Sequence, residues 1–426
     1  MVRSFELANA TSRLGHTVTL AFMHPGFHPP SSFLEMLANS ISENYKIRYR
    51  SVNSPLEHGT KYRVAGKVTE CRPSALGLIK QMGMSFQYVR DEFPLVREEK
   101  PDVIVARPDH VLSFLVTAGA KRIPLVLETD GPVEELDYYW GISSRWFKPI
   151  DTFRARRADA ILHISGTCGR LWREKQLPPE RLFLCPNGAD PDVFRPLPVS
   201  EREALRSRYG LEGSTVLGFS GNQRRSNGVG EFLRTLVSLM KTNPRLKGLI
   251  IGEMEDRGAL GLDDLPKDLL EKRIVFTGTV SYLHMPAHID LADVMVMPYP
   301  RLELFHLSPM KMFEGLSMNK ILVASAQGQI QDVLSGLPTA LLYDPDDPRG
   351  FARALQEGFD MAESGADSTA GRDLLIRKHT WVHRGQVVEA ACRHACISRR
   401  SLLSPRGIYS GLDPNDNKEK DRLLAN

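Results

Sequence analysis

The segment Ser308-Pro309-Met310-Lys311-Met312-Phe313-Glu314-Gly315 holds the densest chemistry in the chain. It follows one apolar run, DVMVMPYP, and leads into another, KILVAS, so it reads as a helix opening between two strands. Pro309 suits the first turn of a helix and Ser308 its N-cap. Free amides at such a terminus, aided by the helix dipole, make a phosphate site. Glu314 lies about one and a half turns inside, within reach of a ribose. The plain alternative is an ordinary capped helix with a solvated glutamate.

A second stretch, Gly218-Phe219-Ser220-Gly221-Asn222-Gln223-Arg224-Arg225-Ser226-Asn227-Gly228, is a strand end, a glycine-rich turn with two arginines, and a helix start. Glycine lets a backbone approach phosphate closely, and arginine pairs with phosphate oxygens. The stretch is neither a Walker A loop nor GxGxxG, so taken alone it reads more readily as a solvated basic loop. A third, Pro186-Asn187-Gly188-Ala189-Asp190-Pro191-Asp192-Val193-Phe194-Arg195-Pro196, is built on the commonest turn dipeptide and reads as an interdomain hinge.

The elements that must position these stretches alternate along the whole chain. Strands are expected near 17–22, 46–52, 102–106, 123–128, 159–164 and 181–185. They are expected again near 215–220, 247–252, 273–277, 293–297, 320–325 and 339–343. Several are continuous β-branched runs, as in parallel strands buried on both faces. Helix-length segments lie between most of them, the pattern of doubly wound α/β sheets. The series breaks near 186–200. Residues 2–14 read as an amphipathic helix set directly before a strand, so the strand and turn that normally open such a domain are expected to be missing. A helix is expected from Trp381 to about Arg400 and a loose polar tail over 401–426.

Length and composition agree. At 426 residues the chain exceeds one ordinary core, and its 42% apolar and 25% charged residues are those of a globular protein. A net charge of +4 is too weak to argue for nucleic acid. Five cysteines without a CxxC pair speak against a disulfide framework or zinc module, and no run is long enough to cross a membrane. The expectation is a cytoplasmic protein, peripheral at a membrane at most.

In order and spacing these stretches resemble one family over roughly residues 3–395: the GT-B glycosyltransferases of the retaining family 4 type, also called group 1. The resemblance rests on RLGHTVTL, RRADAILHIS, RLFLCPNGADPDVFRP, FSGNQRRSNGVGEFL, IVFTGTVSYLHMPAHIDLADVMVMPYP, SPMKMFEGLSMNKILVAS and HTWVHRGQVVEAA. It implies an α/β fold of two Rossmann-like doubly wound domains facing a cleft. Residues 1–195 would form the acceptor-side domain and 196–380 the nucleotide-sugar donor domain. Residues 381–400 would cross back onto the first domain.

The family usually carries two glutamates eight apart at the donor helix. Glu314 occupies the place of the second, which holds the ribose. The place of the first, which contacts the transferred sugar, is His306, and Glu303 is off-register. Among Leu307, Ser308, Pro309 and Met310, proline has no amide to give, so Met310 and Lys311 are the better donors to phosphate. The family's usual lysine before the helix-opening glycine is Asn227 here, which leaves Arg224 and Arg225 for the diphosphate, with Gly221 and Asn222 beside them. Thr279, Val280 and Ser281 match positions that meet the base through backbone groups. Asp130, in Leu127-Glu128-Thr129-Asp130-Gly131-Pro132, stands where many relatives keep a histidine or asparagine. Glu134 and Glu135 read as caps of the next helix.

The resemblance implies a metal-independent, retaining hexosyltransferase that needs no cofactor. It would take a UDP- or GDP-sugar and act on a glycan, lipid or small-molecule acceptor. Asp130, His306, Arg225 and Lys311 are its candidate catalytic residues. One rival is a metal-dependent transferase using Asp190-Pro-Asp192 or Asp344-Pro-Asp346, both of which read as turns. Another is a non-catalytic GT-B nucleotide- or sugar-binding protein, favoured by His306, Asn227 and the missing first strand. The aromatic cluster Tyr138, Tyr139, Trp140, Trp146 and Phe147, with Arg145 and Lys148, reads as an inward-packed helix, a glycan platform or a membrane face.

Overall fold

The structure is a computed structural model that describes residues 2–23, 45–50, 63–64, 67–68, 85–107, 113–139, 143–221, 227–253, 262 and 265–403. The expected strands are present, with ends shifted by a residue or two. In the first half these are β1 (Val18–Met23) and β2 (Tyr45–Arg50), then β5 (Ile104–Ala106), β6 (Leu125–Thr129), β7 (Ala160–His163) and β8 (Leu182–Leu184). A two-residue antiparallel ladder, β3 (Arg63–Val64) with β4 (Lys67–Val68), was not legible in the sequence. β1 pairs with β2, and β5-β6-β7-β8 form a four-stranded parallel sheet.

The second half adds β9 (Thr215–Ser220), β10 (Leu246–Ile251), β11 (Ile274–Phe276), β12 (Val294–Met297), β13 (Ile321–Ser325) and β14 (Ala340–Tyr343). They form one parallel sheet in the order β11-β10-β9-β12-β13-β14. The order reverses between β9 and β12. In open α/β sheets such a switch point leaves a crevice beyond the carboxyl ends of the strands, where ligands bind.

Alternation along each strand divides the side chains between two cores. Leu217, Phe219, Ile250, Val294, Val296 and Val323 face the helices Val229–Met240 and Gly350–Glu363. Val216, Leu249, Ile251, Met295, Met297 and Leu322 face the helices Met310–Ser317 and Gly328–Leu334. In the first sheet Val126, Ala160 and Leu162 meet one core, and Leu125, Leu127 and Ile161 the other. This explains why the inner strands read as unbroken apolar runs: neither of their faces meets water.

The first described element is the helix Val2–Arg13, and the last is the 23-residue helix Trp381–Leu403. The latter runs three residues beyond the expected end at Arg400; the rest of the expected tail lies outside the described residues. Leu7 and Ala10 of the first helix share a core with Trp381, Val388, Ala391 and Ala395 of the last. The two helices approach so closely that a Cβ on Gly385 would meet Ala10 backbone at 3.0 Å. Among the described residues no helix is long and apolar enough to cross a membrane.

Candidate functional site

Three glycines shape the crevice at the switch point. β9 is followed by Gly221, whose φ of +119° favours glycine. Gly252, at the end of β10, has φ +136°, and a Cβ there would stand 2.5 Å from the Gly221 carbonyl oxygen. Gly228, with φ +72°, opens the helix Val229–Met240. Its α-carbon faces the end of β12 so closely that a Cβ would fall 1.6 Å from the Pro298 carbonyl oxygen. The two loops singled out from sequence, after β9 and after β12, therefore meet backbone to backbone. Asn222, Arg224 and Arg225 lie outside the described residues; Asn227 is half-buried beside Gly228.

Lys311 supplies the described cation of this crevice. Its Nζ stands 4.1 Å from the centre of the Phe219 ring and 5.4 Å from that of Tyr299. A Cβ on Gly221 would lie 3.3 Å from it. The Nζ is buried and has no hydrogen-bond partner among the described residues. Burial pushes the ammonium down to about 7, against the pull of Glu314. Burial likewise lifts the Glu314 carboxyl to about 7, against the pull of Lys311. Glu314 is 6% exposed and lies one turn further along the same helix. Two groups that prefer charge in water are thus held in apolar surroundings, which makes the crevice ready for a polar ligand.

The helix itself begins at Met310, with Pro309 as its cap and no side-chain capping bond. This corrects the expectation for Ser308. Its hydroxyl accepts from the Asn187 amide at 2.9 Å, and its carbonyl accepts from Asn187 Nδ2 at 2.5 Å. Ser308 is consequently spent on the 186–190 segment rather than on its own helix. Met310 and Lys311 keep the free amides of a first turn, since Met312 is the first to reach back, to Pro309 at 3.2 Å. The Met310 side chain packs on the core of the first sheet, and Leu307 on the core of the second. Beyond β11, Thr279 is exposed, Val280 packs half-buried on the second core, and Ser281 Oγ pairs with His284 Nδ1 at 2.9 Å.

The 186–190 segment is tied from every side. Arg3 of the first helix donates to the carbonyls of Cys185 (2.7 Å) and Pro186 (3.0 Å), to Asn187 Oδ1 (2.9 Å) and to Glu128 Oε1 on β6 (2.6 Å). Arg3 and Glu128 are both buried. Arg384 of the last helix donates to the Asn187 carbonyl, and Ala189 bridges to Thr380. Tyr282, next to the base-loop candidates, donates its hydroxyl to Glu6 Oε1 at 3.2 Å. Burial and the nearby Asp190 raise Glu6 to about 7, against the Tyr282 hydrogen bond and Arg13.

On the opposite wall Asp130 follows β6 and forms an ion pair with Arg107, whose other nitrogen reaches Ser4 Oγ at 3.2 Å. His306 is buried, 4% exposed, and bridges the two halves. Its Nδ1 faces the Leu304 carbonyl at 3.3 Å and its Nε2 faces Glu135 Oε2 at 3.4 Å, while its carbonyl lies 4.0 Å from Cys168 Sγ. Glu135 is therefore more than the helix cap it reads as in sequence. Gly131 makes room for it, since a Cβ there would meet its carboxylate at 2.9 Å. Glu303 is exposed.

Sequence reasoning missed Arg3, Glu6, Arg107 and Tyr282, and gave Glu135 only as a helix cap. The one available signal was polar residues on the inward face of the helix Val2–Arg13. The two Asp-Pro-Asp pairs are turns. Asp190 Oδ1 accepts from the Asp192 amide at 2.9 Å, and Asp344 and Asp346 both hold Arg301, at 2.6 and 2.7 Å.

Sequence models of known families match both halves. That described as Glycosyltransferase Family 4 covers residues 2–193, and that described as Glycosyl transferases group 1 covers residues 214–360. The chain is 28% identical over 245 residues to a D-inositol 3-phosphate glycosyltransferase of Stackebrandtia nassauensis, covering 54% of this chain and 53% of that protein. It is 28% identical over 230 residues to a 2-deoxystreptamine glucosyltransferase of Streptomyces kanamyceticus, covering 53% and 58%. The chain thus spans little more than half the length of these curated relatives. Solved structures of similar fold include HepE of Anabaena in complex with UDP and glucose. It has a TM-score of 0.65 at 13% identity and covers 91% of this chain and 95% of that one. WaaG, a glycosyltransferase involved in lipopolysaccharide biosynthesis, has a TM-score of 0.59 at 14% identity and covers 91% and 94%. Matched in both halves, and folded around parallel α/β sheets, the chain belongs to the family 4, group 1 glycosyltransferases of GT-B fold.

Proposed function

We propose that this protein transfers a hexosyl group from a UDP- or GDP-sugar to an acceptor hydroxyl, with retention of configuration and without a metal ion. One observation carries the reading. Lys311 Nζ is buried, unpartnered among the described residues, and faces the glycine turn after β9, one helical turn from the buried Glu314. A diphosphate between the two loops would supply the anion the ammonium lacks. The free amides of Met310 and Lys311 would add to it, and Glu314 would take the ribose hydroxyls. Thr279, Val280 and Ser281 would line the base.

In the reaction the bond from the anomeric carbon to the diphosphate oxygen breaks, and one to the acceptor oxygen forms on the same face. The acceptor's proton passes to the departing phosphate oxygen, so no strong side-chain base is needed. Lys311 and the helix terminus stabilise charge growing on the diphosphate. Arg224 and Arg225 belong to the same task. His306, held by Glu135, and Asp130, held by Arg107, would face the transferred sugar and the acceptor from the opposite wall. Residues 1–195 would serve the acceptor and 196–380 the donor. The acceptor is a glycan, lipid or small molecule.

A second reading, a nucleotide-sugar binder without transfer, is favoured by His306. It stands where a sugar-contacting carboxylate is expected, and its ring nitrogens already face Leu304 and Glu135. A panel of UDP- and GDP-sugars, scored for binding and for sugar release, tests both. Glu314→Ala should weaken UDP or GDP binding; unchanged affinity for both in calorimetry refutes the site. Tight binding with no sugar release from any donor supports the second reading.

A further inference from the structure

We propose that the exposed face of the turn and helix spanning Ser144–Arg157 seats this protein on the headgroup layer of an anionic lipid bilayer. The inference holds whether or not the chain transfers a sugar. Ser144–Trp146 is a tight turn, Phe147 joins it to the helix Lys148–Arg157, and the turn is stapled by Asp137, which accepts from the Ser144 amide at 2.8 Å. Phe147, Asp151, Arg154, Ala155 and Ala158 are buried. Trp146, Pro149, Phe153 and the pair Arg156 and Arg157 follow at intervals of three and four, so they share the outer face.

That face is aromatic and positive. Trp146 is 74% exposed, Phe153 49%, and Tyr138 on the stapled helix 50%. Large rings so open to water are the informative exception on a protein surface. Arg145 lies over Trp146 at 5.9 Å and Arg157 over Phe153 at 5.1 Å. The neighbouring acids are engaged: Asp151 holds Lys175 and Arg154, Glu134 holds Lys175, and the exposed Asp137 accepts from Ser144. Among the described residues no acid pairs with Arg145, Arg156 or Arg157. Trp146 stands open on the turn and Phe153 on the outer side of the helix. They can enter the interfacial layer while the guanidinium groups meet lipid phosphates.

The test mixes the full chain with vesicles of phosphatidylcholine alone or with phosphatidylglycerol, and measures what sediments with them. Binding should need the anionic lipid and fall with salt. Each basic group near such a surface is worth about fivefold, so Arg145→Ala, Arg156→Ala and Arg157→Ala together should weaken it on the order of 100-fold. The matching triple lysine variant should bind nearly as wild type, which separates charge from misfolding. Brominated lipid should quench wild-type fluorescence more than that of Trp146→Phe. Equal binding by wild type and the alanine triple overturns the proposal, as does loss in the lysine triple. Indifference to anionic lipid, with capture of a single-stranded oligonucleotide instead, also overturns it.

Discussion

Lys311→Met should make the free protein more stable and its nucleotide site weaker. The side chain ends between Phe219 and Tyr299, where burial takes its pKa from 10.5 to about 7. At ~1.4 kcal/mol per pH unit this is on the order of 5 kcal/mol against the ammonium. The methionine side chain is of similar length and apolar, so the packing survives. The lost attraction to the rings offsets about 1–2 kcal/mol, which leaves a net gain of about 3 kcal/mol at neutral pH. The sign depends on pH. Between about 7 and 10.5 the unfolded chain holds a proton that the folded one has shed, so wild-type stability rises with pH across that window. The advantage of methionine should therefore be largest at or below pH 7 and fade above it. Binding should move the other way. A diphosphate in the crevice would restore the ammonium, and a hydrogen bond to a charged group is worth about 1.5–3 kcal/mol, or roughly ten- to a hundredfold in affinity. Calorimetric unfolding without nucleotide and titration with UDP and GDP measure the two halves separately. A less stable variant that keeps its nucleotide affinity would refute the assignment of Lys311 as a ligand-facing charge.

Two further outcomes follow from the geometry. Gly228→Ala should cost more than about 4 kcal/mol in urea unfolding, because a Cβ would fall 1.6 Å from the Pro298 carbonyl oxygen at φ +72°; a loss below about 1 kcal/mol would contradict this contact between the two loops. Glu6, lifted from 4.5 to about 7, contributes stability that is full below 4.5 and lost as pH rises through 7. Glu6→Gln should remove Glu6's share of that loss, about 3 kcal/mol at most, while keeping an acceptor for Tyr282; an unchanged pH–stability curve would count against a buried Glu6.

Much of the fold was legible because its signals are local. A strand buried on both faces must be an apolar run, whatever it pairs with, and β9 through β14 announced themselves in this way. Gly228 was visible as a turn residue, and the 186–196 stretch as a break. Ser308 shows where local reading stops. A serine before a helix is an N-cap by default, yet here the partner is Asn187, distant in sequence, and that stronger local rule gives way to a tertiary contact.

The site follows the same division. The sequence by itself determined the two sheets, the glycine turns and the presence of Lys311 and Glu314 one turn apart. Only the tertiary structure decided that Lys311 is desolvated, that Arg3 meets Glu128 across 125 residues, and that Tyr282 meets Glu6 across 276. It also turned Glu135 onto His306 and left Trp146 facing solvent. Periodicity shows which face of an element is buried. The partner that covers the face, and the charge or water it brings, is set by elements elsewhere in the chain.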